Sequence, residues 1–189
     1  MIYAADEQDC PEAADTAIDI VELAPDPRRV TRFRADHPGP VIAVAARTAE
    51  TARACVAAGA ELLVGDHLAE VAGATGTGLV CSDPARASSA GVRPDGVIVE
   101  AGDVPGHLRL EELVRAGHAV LVTPVAASPD AAGPGVDAAT LAALSVHAWL
   151  GARVFRVRAP DAPVVRQALD MVASIQGLRP PAVSRRGLV

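Results

Sequence analysis

The chain has 189 residues, half of them hydrophobic, and a net charge of −6 spread over mixed acidic and basic positions. That length points to one domain able to bury roughly 70% of its unfolded surface, and the charge excludes the basic stripe of a nucleic-acid binder. Three cysteines without CxxC spacing, Cys10, Cys55 and Cys81, indicate neither a disulfide framework nor a zinc site, and no uncharged apolar run is long enough for a membrane span.

The thiols fit a reducing cytoplasm, and Met1–Asp6 lacks the basic start and apolar stretch of a signal peptide. Only four residues are aromatic, Tyr3, Phe33, Trp149 and Phe155, so the core must be built from Val, Leu, Ile and Ala. Small side chains let helices approach sheets closely and suit a layered α/β fold.

In chain order the predicted strands are Ile2–Ala5, Ala17–Leu23, Val41–Ala45, Leu62–Val64, Leu79–Cys81, Gly96–Glu100, Ala119–Thr123 and Val154–Val157. They are dense in Val, Ile and Leu and do not alternate with polar residues, the pattern of parallel strands covered on both faces. Predicted helices lie between most of them. Pro27–Asp36 is polar and cationic, and Thr48–Ala58 is Ala-rich, with Thr48 as its cap. Leu108–Arg115 is short, Asp137–Leu150 is long, and Ala162–Ile175 carries Val165, Leu169 and Val172 on one stripe. Gly59, Gly117 and Gly151 stand where left-handed C-caps belong.

Alternating β and α elements permit a doubly wound sheet or a closed barrel, and eight strands favour the barrel. The usual TIM-type (β/α)8 barrel is about 250 residues long. At 189 residues this one must be shortened, with reduced helices after strand 1, between Ala5 and Ala17, and after strand 5, between Cys81 and Gly96. The expected organisation is one barrel over 1–177 and a C-terminal tail over 178–189.

Gly73-Ala-Thr-Gly-Thr-Gly78 has neither the GxGxxG nor the GxxxxGK[ST] spacing and leads into a strand, so a plain turn is expected and no nucleotide cofactor. Five scattered histidines show no metal-binding spacing; His67, beside Asp66 just past a strand end, lies where barrel chemistry gathers. Glu100 ends the apolar run Val97-Ile-Val-Glu100 and would face the barrel mouth. Arg156 and Arg158 share one face by period two, which makes an anion site, unless neighbouring acids neutralise them as salt bridges.

The segment Gly151-Ala-Arg-Val-Phe-Arg-Val-Arg158, continuing from Val165 to Gly177, resembles the last strand and helix of dihydropteroate synthase. It is especially similar to the divergent second paralogue of that family, as is the tail from Leu178 to Leu188. The runs Val41–Ala46, Ala57–Leu63 and Gly78–Cys81 resemble the family's third to fifth strands. The resemblance implies a (β/α)8 barrel that joins a pterin pyrophosphate to p-aminobenzoate in folate synthesis. It also implies ligands at strand ends, and most of these positions have changed. The third-strand aspartate falls on Ala45 and the fourth-strand asparagine on Val64, with Asp66 two places further on. Glu100-Ala101 replaces the sixth-strand Asp-Pro, and the seventh-strand lysine falls in Val125-Ala-Ala127. Of the closing Arg-x-His, Arg156 remains and Arg158 takes the histidine's place. The first strand's Asn-x-Thr-Pro-Asp-Ser-Phe loop is absent.

The reading is a dihydropteroate-synthase-like protein without synthase activity. Arg156, Arg158, Glu100 and Asp66 would form a residual anion or substrate site for a phosphate- or pterin-like molecule. One alternative is an active synthase with Glu100 for Asp and Arg158 for His. Another is an interaction partner of a true synthase. Neither nucleic acid nor membrane is an expected partner, and the helices that flank the last strand correspond to the family's dimer face, here with Leu141, Leu144 and Trp149.

Overall fold

The computed structural model describes residues 1–5, 17–103, 106–124 and 136–178. Eight parallel strands follow one another in chain order and close into a barrel. They are β1 (Ile2–Ala5), β2 (Ile20–Leu23), β3 (Val41–Val44), β4 (Leu62–Val64), β5 (Gly78–Cys81), β6 (Val97–Asp103), β7 (Ala119–Thr123) and β8 (Val154–Val157). β8 pairs in parallel with β1 through Ile2–Phe155 and Tyr3–Arg156, which seals the sheet. The helices outside it are α1 (Pro27–Asp36), α2 (Ala49–Ala57), α3 (Ala69–Thr75), α4 (Pro84–Ser89), α5 (His107–Arg115), α6 (Ala138–Trp149) and α7 (Ala162–Ile175). The TIM-type reading therefore holds.

Strand alternation sorts the core into two layers. Tyr3, Ile20, Ala43, Leu62, Val80, Ile98, Leu121 and Val154, one from each strand, fill the barrel interior. Their neighbours, among them Ile2, Val21, Ile42, Leu63, Leu79, Val99, Val120 and Phe155, face outward into a shell with Val30, Cys55, Leu110, Leu144 and Val165 from the helices. Branched aliphatic side chains dominate both layers, as such barrels require.

The expected Thr48 cap forms, and Asp26 and Asp137 cap two further helices. Thr48 accepts the backbone N–H of Thr51 at 3.2 Å. Asp26 accepts that of Arg28 at 2.9 Å, and Asp137 that of Thr140 at 2.6 Å. Val165 and Val172 of α7 are buried and Leu169 packs beside them.

Besides one-residue shifts at strand and helix ends, four details depart from the sequence reading. β2 begins at Ile20, because Ala17 to Asp19 form the turn that enters it. β6 runs on to Asp103 through a bulge against β7, and Gly102 takes φ 88° there.

The plain turn expected at Gly73–Gly78 is in part helix. Gly73 to Thr75 finish α3, and only Gly76, at φ 68°, is the left-handed cap before β5. A Cβ at Gly73 would run into the carbonyl of Ala90, so this glycine lets α3 and the end of α4 meet backbone to backbone. Finally, α4 places six helical residues in the gap after strand 5, still far short of a full-length barrel helix. The gap after strand 1 falls on 6–16, outside the described residues, as do Cys10, Val125 to Ala127 and the tail from 179 onward.

Candidate functional site at the barrel mouth

Period two carries each interior residue one step up to the C-terminal rim. Two places past Ile20, Leu62, Ile98 and Val154 stand Glu22, Val64, Glu100 and Arg156, one from every second strand. This is the top layer of the barrel, where TIM-type sites are built.

Arg156 is its centre, with a side chain only 20% exposed. Its Nη1 donates to Glu100 Oε1 at 2.7 Å, and its Nη2 lies 3.8 Å from Glu22 Oε2. The guanidinium carbon sits 4.7 Å from the centroid of the Tyr3 ring, a cation–π stack. The fully buried Tyr3 hydroxyl donates to Glu22 Oε2 at 2.6 Å. Burial, and then the adjacent Glu22 carboxylate, push the Tyr3 phenol well above its ordinary pKa. Burial opposes the charge of Arg156, but Tyr3, Glu100 and Glu22 more than compensate and raise its pKa. One cation thus stands between two carboxylates. Arg156 Nε and Thr123 Oγ1 are buried polar atoms with no hydrogen-bond partner among the described residues.

The structure brings Glu100 and Arg156 together and sends the other two predicted residues elsewhere. β8 ends at Val157, and Arg158, next along the chain, pairs with an acid of its own turn instead of with the Arg156 cluster. Its Nε donates to the buried Asp161 at 2.7 Å, within the turn that opens α7. Asp66 clasps the β4 and β5 loops. Its Oδ1 accepts the backbone N–H groups of Ser82 and Asp83, both at 3.0 Å, and its Oδ2 accepts the Ser82 hydroxyl at 2.5 Å. Burial pushes the Asp66 carboxyl up, but these bonds outweigh it and hold the pKa below the usual carboxylate value. His67 extends the clasp: Nε2 lies 2.8 Å from the Ala46 carbonyl, which can only accept, so Nε2 carries the proton.

Glu22 and Tyr3 were not singled out from sequence. The signal for Glu22 was present, since Ile20-Val-Glu22 repeats the pattern of Ile98-Val-Glu100. Nothing local marks Tyr3, whose partners lie on the neighbouring strands β2 and β8.

Among the described residues no group of three or more His, Cys, Asp or Glu could hold a metal ion. Burial, and then Asp66 and Asp83, raise the Cys81 thiol to about 11, and burial raises Cys55, so neither is poised as a thiolate nucleophile. No helix among the described residues is long and apolar enough to cross a membrane.

No family model matches the chain. It is similar to the inactive dihydropteroate synthase 2 of Mycobacterium tuberculosis, with 31% identity over 232 aligned positions that cover 94% of this chain and 71% of that protein. The protein of the same name from Mycobacterium leprae is 29% identical, over 94% of this chain and 77% of its own length. Among solved structures, Mycobacterium tuberculosis Rv1207 superposes with a TM-score of 0.78 at 27% identity, covering 96% of this chain and 93% of that one. The dihydropteroate synthase of Coxiella burnetii, solved with pteroic acid, gives 0.71 at 15% identity over 89% and 84% of the two chains, a likeness of fold alone. With a closed barrel of this topology and a relative this similar over most of both lengths, the chain belongs to the dihydropteroate synthase family.

Proposed function

We propose that this chain is a dihydropteroate-synthase-like barrel that makes no pteroate and keeps a small polar ligand site at its mouth, built on Arg156 and Glu100 with Asp66 and Arg158 on the rim. The observation that carries the reading is the internal neutralisation of Arg156 by Glu100 and Glu22. A phosphate or pyrophosphate would have to displace a carboxylate already 2.7 Å from the guanidinium. At two strand ends to which the resemblance assigns an aspartate and an asparagine stand Ala45, exposed, and Val64, half-buried. Each missing charged hydrogen bond removes about 1.5–3 kcal/mol of ligand binding. Glu100 and Glu22 still offer acceptor oxygens, which suits a neutral, N–H-rich pterin-like ring better than an anion. The inactive label of the mycobacterial relatives agrees with this reading.

Purified protein supplied with pterin pyrophosphate and p-aminobenzoate should form no pteroate above background. Ala127→Lys alone should not restore turnover, because catalytic groups that act as a unit are strongly non-additive. Robust turnover would overturn the proposal and favour the active synthase with substituted ligands. In a thermal-shift series a pterin should raise the Tm of the wild type and not of Glu100→Gln, since a binder of the native state stabilises it.

One observation favours a partner role alongside. Val146, Trp149, Met171 and Ile175 of the adjoining α6 and α7 are 54–65% exposed. Leu144, expected on that outer face, is instead buried in the core. An apolar patch with an exposed Trp suits a protein interface, either a homodimer or a pairing with a true synthase. Light scattering at high micromolar concentration tests the first, and a pull-down with a synthase tests the second. In this proposal the barrel over 1–177 is one unit working in the cytoplasm, with 178–189 as its tail, which cell fractionation and limited proteolysis would check.

A further inference from the structure

The opposite end of the barrel holds a second cleft that the mouth reading does not use. It measures about 510 Å³ and opens between α7, the end of α6 and the start of β8. Its walls are apolar, formed by Phe155, Leu169, Val172 and Ala173, and a volume of this order accommodates a small organic molecule.

Two guanidiniums stand at the cleft. Arg166 gives its Nη2 to Asp19 and to the Ala17 carbonyl, and its Nη1 makes no hydrogen bond among the described residues. Arg153 is exposed and makes no ion pair among them, and the Met1 ammonium, which donates to the Arg153 carbonyl at 2.6 Å, is a third cation, so against the acids Asp19 and Asp170 one positive charge is left over. Two acids border the same ground, Asp19 beside Arg166 and Asp170 in the cleft wall. A dianion such as phosphate would face both carboxylates. A monoanion needs only that one spare positive charge, while its hydrocarbon body removes apolar wall from water at roughly 25 cal/mol per Å².

We infer that this cleft at the N-terminal end of the barrel, between α7 and β8, binds a monocarboxylic acid with a hydrocarbon body, its carboxylate on Arg153 and its body against Phe155, Leu169 and Val172. The forked donors of arginine fit a carboxylate in two-point contact. The site lies outside the barrel interior and is independent of the mouth.

The probe is octanoate, titrated calorimetrically into the full chain, with 1-octanol as the uncharged match. Octanoate should bind at one site per chain and at least tenfold more tightly than the alcohol. Arg153→Gln should reduce that affinity at least tenfold. Ala173→Leu, which fills the cleft, should abolish binding while the melting transition stays cooperative. Equal affinity for acid and alcohol, no binding by the wild type, or binding that survives Ala173→Leu would each overturn the assignment. A cleft already covered by a second copy of the chain would appear as no binding and would overturn it equally.

Discussion

Two arginines, Arg156 and Arg166, anchor opposite ends of this barrel, and they serve different purposes. Arg156 projects from β8 into the mouth and gathers Glu100 from β6 and Glu22 from β2, so its partners lie across the interior. Arg166 projects from α7 and meets Asp19, whose Oδ2 also accepts the backbone N–H of Ile2 at 2.6 Å. That second cluster ties the last helix to the first strands, where the barrel closes on itself. Polar groups at the N-terminal end of such barrels serve stability, and those at the C-terminal end serve chemistry. Here the C-terminal end also carries a structural ion cluster, since Arg156 is held by the protein's own carboxylates.

The contrast can be broken most severely at the mouth. Arg156→Ala leaves Glu22 and Glu100 without their shared cation, and removing one partner of a largely buried ion pair costs about 3 kcal/mol. Chemical denaturation should show that loss, and a smaller loss for Glu100→Gln, which leaves Glu22 near the guanidinium. At the base, Asp19→Ala removes the acceptor of both Arg166 and the Ile2 N–H, and should cost about 2 kcal/mol. If the base variant proved the more damaging, the mouth cluster would be a ligand site that happens to be paired in the free protein.

Asp66 gives a milder and pH-dependent test. Its carboxyl is held below the ordinary value in the fold, so its contribution is present above an unfolded pKa of about 3.9 and is lost as pH falls through the folded value. Asp66→Asn should lower stability near neutrality, where the carboxylate's contribution is full, and flatten the acid limb below about pH 4 so that variant and wild type converge there, as followed by urea midpoints across pH. The smallest expected effect is that of phosphate. At millimolar concentration it should leave the wild-type Tm unchanged, because Glu100 already occupies the guanidinium. A clear rise that Arg156→Ala abolishes would restore the anion site and remove the contrast between the two ends.

Much of the barrel was legible before any coordinates. β1, β4, β7 and β8, and the helices α1 and α7, begin and end where the apolar runs, prolines and caps place them. Parallel strands buried on both faces leave an unambiguous signal of dense Val, Ile and Leu. The helix α3 escaped notice because Gly73 and Gly76 read as turn residues, although Gly73 is there for the close approach to Ala90. At the site, Glu100 and Arg156 were found from their placement at strand ends, as isolated charges in apolar runs.

What the sequence determined by itself was the order of eight strands and the isolated charges, Glu100 and Arg156, within the apolar runs of two of them. Only the tertiary structure decided which charges meet. Arg158 turned to Asp161 because β8 stops one residue before it. Asp66 went to the β5 loop, where three donors from Ser82 and Asp83 converge. Glu22 and Tyr3 joined Arg156 because closure sets β1 between β8 and β2. Alternation along a strand is a local property of the backbone, whereas the partner of a charge is set by a register between distant segments, which exists only once the barrel has closed.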